Sequence, residues 1–310
     1  MSEPPSHEEI RRRWAKTYGA QSLPRPKRRG PIVSTVVIAI IVLGGAALFL
    51  RNALGSTPIT TPAAGPTGAE HVSQFDPAKP YANTPAASWG DTADGIALPT
   101  PVAVGDFSAQ QVGSAEAAAK QVLVAGHLDN RVLVDHDPST FLSLFAPTMQ
   151  THIRHDINNP ATPDYGGMLT LLAPGYRLLP VPIKVDGSMT PQIDAAGNLV
   201  IHTNYVFAYP FAPADPGTID YAWQVVAVVH VQADLETVAG SRYAAADRGV
   251  WLSDSSAYVA SESCSAAAKG FLGPAYSDQA APGASTGTEN PDAYFDPGHT
   301  MKIQDTCDNK

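Results

Sequence analysis

The sequence is poor in cysteine and in charge. Two cysteines in 310 residues are too few for a disulfide-dense miniprotein. Without a C-x-x-C spacing they also argue against a zinc or dithiol role. Charged residues make up 16% of the chain, against about 25% in ordinary globular proteins, which excludes a coiled coil. The 25 glycines and 28 prolines follow no G-X-Y period, so the chain is not collagen-like. There is no internal repeat and no alternation of strands with helices. G-x-S-x-G, a Walker loop, a dinucleotide fingerprint and an EF-hand loop are also missing, and with them the commonest signatures of hydrolase, nucleotide and calcium chemistry. Nothing in the sequence calls for a cofactor or a metal.

The charge that is present is unevenly placed. Residues 1–30 hold eight Lys/Arg against Glu3, Glu8 and Glu9, a balance of +5. Residues 51–310 hold 12 basic and 26 acidic residues, a balance of −14. Between them Gly30–Leu50 runs for 21 residues without a charge, about the length that crosses a hydrocarbon core. Residues 31–50 therefore read as a transmembrane helix, the one structure here that satisfies backbone polar groups in lipid. The basic cluster before it places residues 1–30 in the cytoplasm, against anionic lipid headgroups, and residues 51–310 outside the cell membrane. A cleaved signal peptide is the rival reading, with Ala53 and Gly55 as small residues for cleavage. A secretory apolar region is usually about 7–15 residues, shorter than this run. The acidic outer part excludes nucleic acid as a partner there, because phosphate recognition needs a basic footprint.

Residues 51–106 are dominated by Pro, Ala, Thr and Gly and read as an extended linker. Phe75, Tyr81 and Trp89 are more than a spacer needs and suggest docking on the domain or a neighbour. The folded part is expected over 107–276. Ser108-Ala-Gln-Gln111 is a capping box. The helix after it carries Val112, Ala115, Ala119, Val122 and Leu123 on one face. Asp137-Pro138 is a second helix start, and Thr148–Ile157 a further turn or two. From Tyr176 the period changes to two, which predicts about four antiparallel strands near 178–185, 199–209, 221–231 and 250–259. Helices followed by a meander indicate an α+β fold, with helices packed on a curved antiparallel sheet. Residues 277–310 return to turn composition. With the domain outside the cell, Cys264 and Cys307 are expected to form a disulfide that holds this irregular tail.

Few side chains suggest chemistry. His152 and His155 share a helix face and could begin a metal site with Asp135-His136-Asp137, but no known zinc spacing is met. His202 and His230 lie in predicted strands. In a curved sheet they could line a ligand cavity with Tyr205, Asn204 and Gln224; plain alternation points the two histidines to solvent instead. The acidic residues are mostly Asp scattered in loops, and no carboxylate pair stands out.

The basic leader and anchor, Phe75-Asp-Pro-Ala-Lys-Pro-Tyr81, Thr84-Pro-Ala-Ala-Ser-Trp-Gly-Asp91, Leu128-Asp-Asn-Arg-Val-Leu133 and the closing Cys264 and Cys307 resemble single-pass membrane proteins of actinobacteria. More remotely, the architecture resembles inner-membrane subunits of conjugation and type IV secretion systems and accessory proteins of lipid importers. Those have a short leader, one anchor and an extracytoplasmic cone of the NTF2-like or cystatin-like class. The resemblance implies a non-enzymatic scaffold or accessory subunit with protein partners in an envelope transport, conjugation or cell-wall complex. A small-ligand or lipid sensor is the alternative, and an NTF2-like envelope enzyme a further one.

Overall fold

A computed structural model describes residues 75–158, 167–278, 290–303 and 307. The expected leader (1–30), membrane helix (31–50) and first part of the linker lie outside these residues. Among the described residues no helix is long and apolar enough to cross a membrane.

The architecture is α+β around one five-stranded antiparallel sheet in meander order. The strands are β1 (Gly90–Asp91), β2 (Lys184–Ile193), β3 (Leu199–Pro210), β4 (Val226–Val238) and β5 (Gly249–Ala260). The β2–β3 turn is set by Asp194, whose carboxylate accepts the N–H groups of Ala196 and Asn198 at 2.8 and 2.7 Å. Gly197 supplies the left-handed residue there, with φ of 80°. That turn aligns Ile193 with Leu199 and Val185 with Phe207. Asn198 ties the far hairpin to the same end: its amide donates to Glu236 Oε1 at 2.6 Å, and its oxygen accepts from Arg242 at 2.6 Å and Tyr243 at 2.9 Å. The β4–β5 register shifts between Asp234 and Leu235. Ser253 is the extra residue, and its hydroxyl donates to the Asp234 carbonyl at 3.1 Å. Such a bulge bends the strand and adds twist.

The strand boundaries differ from expectation in three places. The first predicted strand, 178–185, moves on to Lys184–Ile193, and Leu178 makes only an isolated bridge to Phe211. The third starts at Val226 rather than Tyr221, because Ala222–Gln224 is a tight 3-10 turn. There the Gln224 side chain accepts the N–H groups of Asp220 and Tyr221 at 2.7 and 2.9 Å. The short β1 lies inside the predicted linker.

Helix α1 (Ala109–His127) starts at the Ser108/Gln111 capping box, with both reciprocal bonds formed. Two short helices, α2 (Asn130–Leu133) and α3 (Ser139–Ser143), lead to α4 (Pro147–Ile157), which opens on a proline at its first position. The expected Asp137 cap acts one residue further out: its carboxylate accepts the Ser139 N–H at 2.9 Å. These helices cover one face of the sheet. Val112, Ala119, Leu123, Leu133, Phe141, Met149 and Ile153 form one core with Leu199, Ile201, Tyr205, Phe207, Tyr209, Val229, Val231 and Leu235.

Half of the second face of the sheet is covered by the ends of the described chain. Val206, Ala208, Val226, Val228, Tyr258 and Ala260 pack with Tyr81, Ala86 and Phe295, flanked by Phe75, Trp89, Tyr294, Met301 and Ile303. From Phe75 onward the predicted linker is therefore part of the domain. Its aromatics anchor it: the Tyr81 hydroxyl lies 2.7 Å from the Pro182 carbonyl and 3.1 Å from that of Ala208. Burial raises the Tyr81 pKa far above the ordinary phenol value, so the hydroxyl stays a donor. Each such ring removed from water contributes about 1.5–3 kcal/mol, which offsets the ordering of a Pro-rich segment. The Cys264–Cys307 disulfide is formed, and it joins the short helix α5 (Cys264–Ala267) to the tail.

Two tests follow from the packing. Gly187 has φ of +148°, and a Cβ there would meet the Asn204 carbonyl at 2.2 Å and Tyr205 at 2.7 Å. Gly187→Ala is expected to lower unfolding free energy by at least about 2 kcal/mol in urea titration. Gly197→Ala, which meets nothing within 4 Å, should cost only about 1 kcal/mol. The disulfide closes a sequence separation of 43 residues. Its removal in the Cys264→Ser/Cys307→Ser variant is expected to cost up to about 4 kcal/mol in the same titration.

Candidate functional site

The parity of β3 decides where the three candidate ligand residues go. Side chains alternate across a strand, so His202 and Tyr205, three positions apart, lie on opposite faces. His230 is paired with Val206 across β3–β4 and shares the face of His202. Tyr205 instead enters the helix-facing core, fully buried, beside Gly187. Burial, helped by Asp186, pushes its pKa up to about 12. Its hydroxyl has no hydrogen-bond partner among the described residues. The structure thus brings His202 and His230 to one face and separates both from Tyr205. A cavity lined by all three is not formed.

The outer face divides into a covered half and an open half. On the open half, His202 on β3 stands directly opposite Asp234 on β4. Its Nδ1–H donates to Asp234 Oδ1 at 2.6 Å. Asp254 of β5 is opposite Asp234 in turn, and Ser188, Thr190 and Ser256 are exposed nearby on the outer strands. The result is an oriented imidazole on an acidic, polar sheet surface.

His230 marks the border with the covered half. It is fully buried, and its Nε2–H donates to Asn204 Oδ1 at 2.6 Å. The Asn204 amide donates onward to the Pro297 carbonyl at 2.9 Å. The His230 ring meets the Tyr258 ring edge-on at 4.9 Å. Tyr258 also contacts Tyr294 and His299, at 6.1 and 5.7 Å between ring centroids. His230 Nδ1 has no partner among the described residues. Burial lowers the His230 pKa from 6.5 to about 4; His299 acts in the same direction, and Asp296 opposes it. The ring is neutral near pH 7.

The other sequence candidates are dispersed. His155 is exposed on α4 and is bonded to its neighbour Asp156 at 3.2 Å. His152 lies near Trp251, 6.4 Å between ring centroids. His136 adopts a left-handed φ of 55°, stacks on Phe271 at 5.1 Å and hydrogen-bonds the Leu172 carbonyl at 2.9 Å. Among the described residues no group of three or more His, Cys, Asp or Glu could hold a metal ion. The Leu128–Leu133 motif has a structural explanation. Arg131 clamps Asp137, Ser139 and Thr140 across the loop after α2. The Ser139 backbone and hydroxyl, then Arg131, hold the Asp137 carboxyl below its usual value.

One buried polar cluster escaped the sequence reading. His127 ends α1 under the sheet, 2.9 Å from the Thr170 hydroxyl and stacked on Phe207 at 4.8 Å. Tyr209 donates to the His127 carbonyl at 2.9 Å. Burial lowers the His127 pKa to about 3. The available signal was its position four residues after Leu123, on the apolar face of α1. The Thr170 N–H also donates to the Gly126 carbonyl at 2.9 Å, so the cluster fixes the segment around Thr170 to the end of α1. Glu116, on the same helix, is buried with Oε2 unpartnered among the described residues, and burial raises its pKa.

Comparison with known proteins finds no matching family model, no matching curated protein and no matching solved structure.

The two buried neutral histidines make stability pH-dependent. Their folded pKa values lie below 6.5, so the unfolded chain binds more protons than the folded one once the pH falls below about 6.5. Stability is therefore expected to fall from pH 6.5 towards pH 4 for His230 and pH 3 for His127. The loss between pH 7.5 and 5 is roughly 2 kcal/mol for each. Urea unfolding at the two pH values checks this, and His127→Gln should remove about half of the drop. A flat profile would contradict buried neutral imidazoles.

Proposed function

We propose that this chain is a membrane-anchored, non-enzymatic extracytoplasmic protein. Its α+β domain, a cone of the NTF2-like class, serves as a scaffold or accessory subunit of an envelope transport, conjugation or cell-wall complex. The observation that carries this reading is the filling of the helix-facing side of the sheet. Tyr205, Tyr209, Phe207, Phe211 and Phe141 are fully buried there among the protein's own side chains, where a ligand-holding cone would keep room for a guest. Helices followed by a meander support the fold assignment. The disulfide supports an oxidising, extracytoplasmic location. The charge-free run at residues 30–50, after a leader of +5, supports one anchor with the leader in the cytoplasm.

Two measurements test the reading on the full chain. Protease added outside intact spheroplasts should remove residues beyond the anchor and spare the leader. Degradation only after lysis would overturn the topology. Crosslinking in the envelope, followed by affinity isolation, should recover covalent adducts with membrane or wall proteins. Recovery of the uncrosslinked monomer alone would count against a scaffold.

A further inference from the structure

The tail segment 290–303 crosses the outer face of the sheet and closes over a histidine that has nowhere to put a second proton. We propose that residues 290–303 form a proton-releasable strap, which lifts from the sheet when His230 is protonated.

The strap is held by two kinds of contact. Phe295, Tyr294, Met301 and Ile303 pack on the apolar half of the face, with Phe295 against Trp89 at 5.7 Å. The polar ties are the chain His230–Asn204–Pro297, through which the strap carbonyl is bonded to β3 and β3 to β4, and the Tyr258 hydroxyl of β5, which donates to the Tyr294 carbonyl at 3.3 Å. Several groups face His230. Asn204 approaches from β3, with His202 one pleat further along. Gln232 is its same-face neighbour on β4, and Tyr258 comes from β5. Tyr294, Asp296 and His299 come from the strap.

His230 already uses its Nε2–H on Asn204, so a second proton must go to Nδ1. That atom is buried without a partner among the described residues. The added N–H would be unsatisfied and the charge would stand near His299, with Asp296 the one opposing carboxylate among the described residues. A buried donor and a buried charge are both costly when unpaired. Opening the strap gives Nδ1–H water and restores the ordinary affinity for the proton, so acid favours the open form. The Cys264–Cys307 disulfide keeps the tail attached, so release is local and reverses on return to neutral pH.

The test is hydrogen exchange by mass spectrometry on the full chain in detergent micelles at pH 7.5 and 5.0. Protection factors are taken relative to a free peptide of the strap sequence. Protection of 290–303 is expected to fall by about 30-fold at pH 5.0, since the open form gains a proton site that the closed form lacks, while β3 and β4 stay better protected than the strap at both pH values. In His230→Gln the strap should show equal protection at both pH values. Should that variant fold poorly, Asn204→Ala gives an independent reading, since it should lower strap protection already at pH 7.5 with the sheet unchanged. Equal strap protection in the parent protein at both pH values would overturn the proposal. So would equal protection factors for the strap, β3 and β4 at pH 5.0, the mark of exchange through global unfolding alone.

Discussion

β3 is paired to β4 along its whole length and to β2 from Leu199 to Ala208, and most of both its faces are covered. A strand in that position has no freedom of register. A slip of one residue would carry Tyr205, Phe207 and Tyr209 out of the helix-facing core and put His202 and Asn204 into it. The turn at Asp194, the bond network of Asn198 and the absence of a side chain at Gly187 all serve that register. Gly187 matters most directly, because its missing Cβ is the space in which β2 closes on Asn204 and Tyr205.

A sheet covered on one face only could leave its outer face to water, as many antiparallel sheets do. Here half of that face is apolar, and segments distant in sequence cover it. Tyr81 and Trp89 come from the stretch before α1, and Phe295 from beyond β5. Trp89 and Phe295 meet each other over the sheet, so the two coverings support one another. The other half stays polar and open, with the His202–Asp234 pair upon it. His230 falls on the line between the halves, which is why a residue in an outer-face position is nevertheless buried.

The parts of this arrangement that were legible in the sequence are those governed by near neighbours. The Ser108/Gln111 box and the alternation of Leu199–Tyr209 each depend on residues within a few positions. The opposite placement of His202 and Tyr205 was also implicit in their odd spacing. The linker reading failed from Phe75 onward for a different reason. Composition measures how little a segment can bury by itself, and Tyr81 and Trp89 are buried by a surface supplied by β3, β4 and the tail. Likewise, the strand expected at 221 was displaced by Gln224, whose side chain takes the N–H groups that a ladder would have used.

By itself, the sequence determined the start of α1, its apolar face, the alternation of Leu199–Tyr209 and which way each residue of that strand points. Those properties are fixed by backbone sterics, capping and periodicity, which act over one turn or one pleat. The tertiary structure alone decided which histidine would be buried. His202 and His230 occupy equivalent outward positions in neighbouring strands. One lies open beside Asp234, and the other lies beneath a strap that begins 60 residues later in the chain. Burial, and the altered proton affinity that comes with it, is set by what another part of the chain places on top, and no local pattern around His230 contains that information.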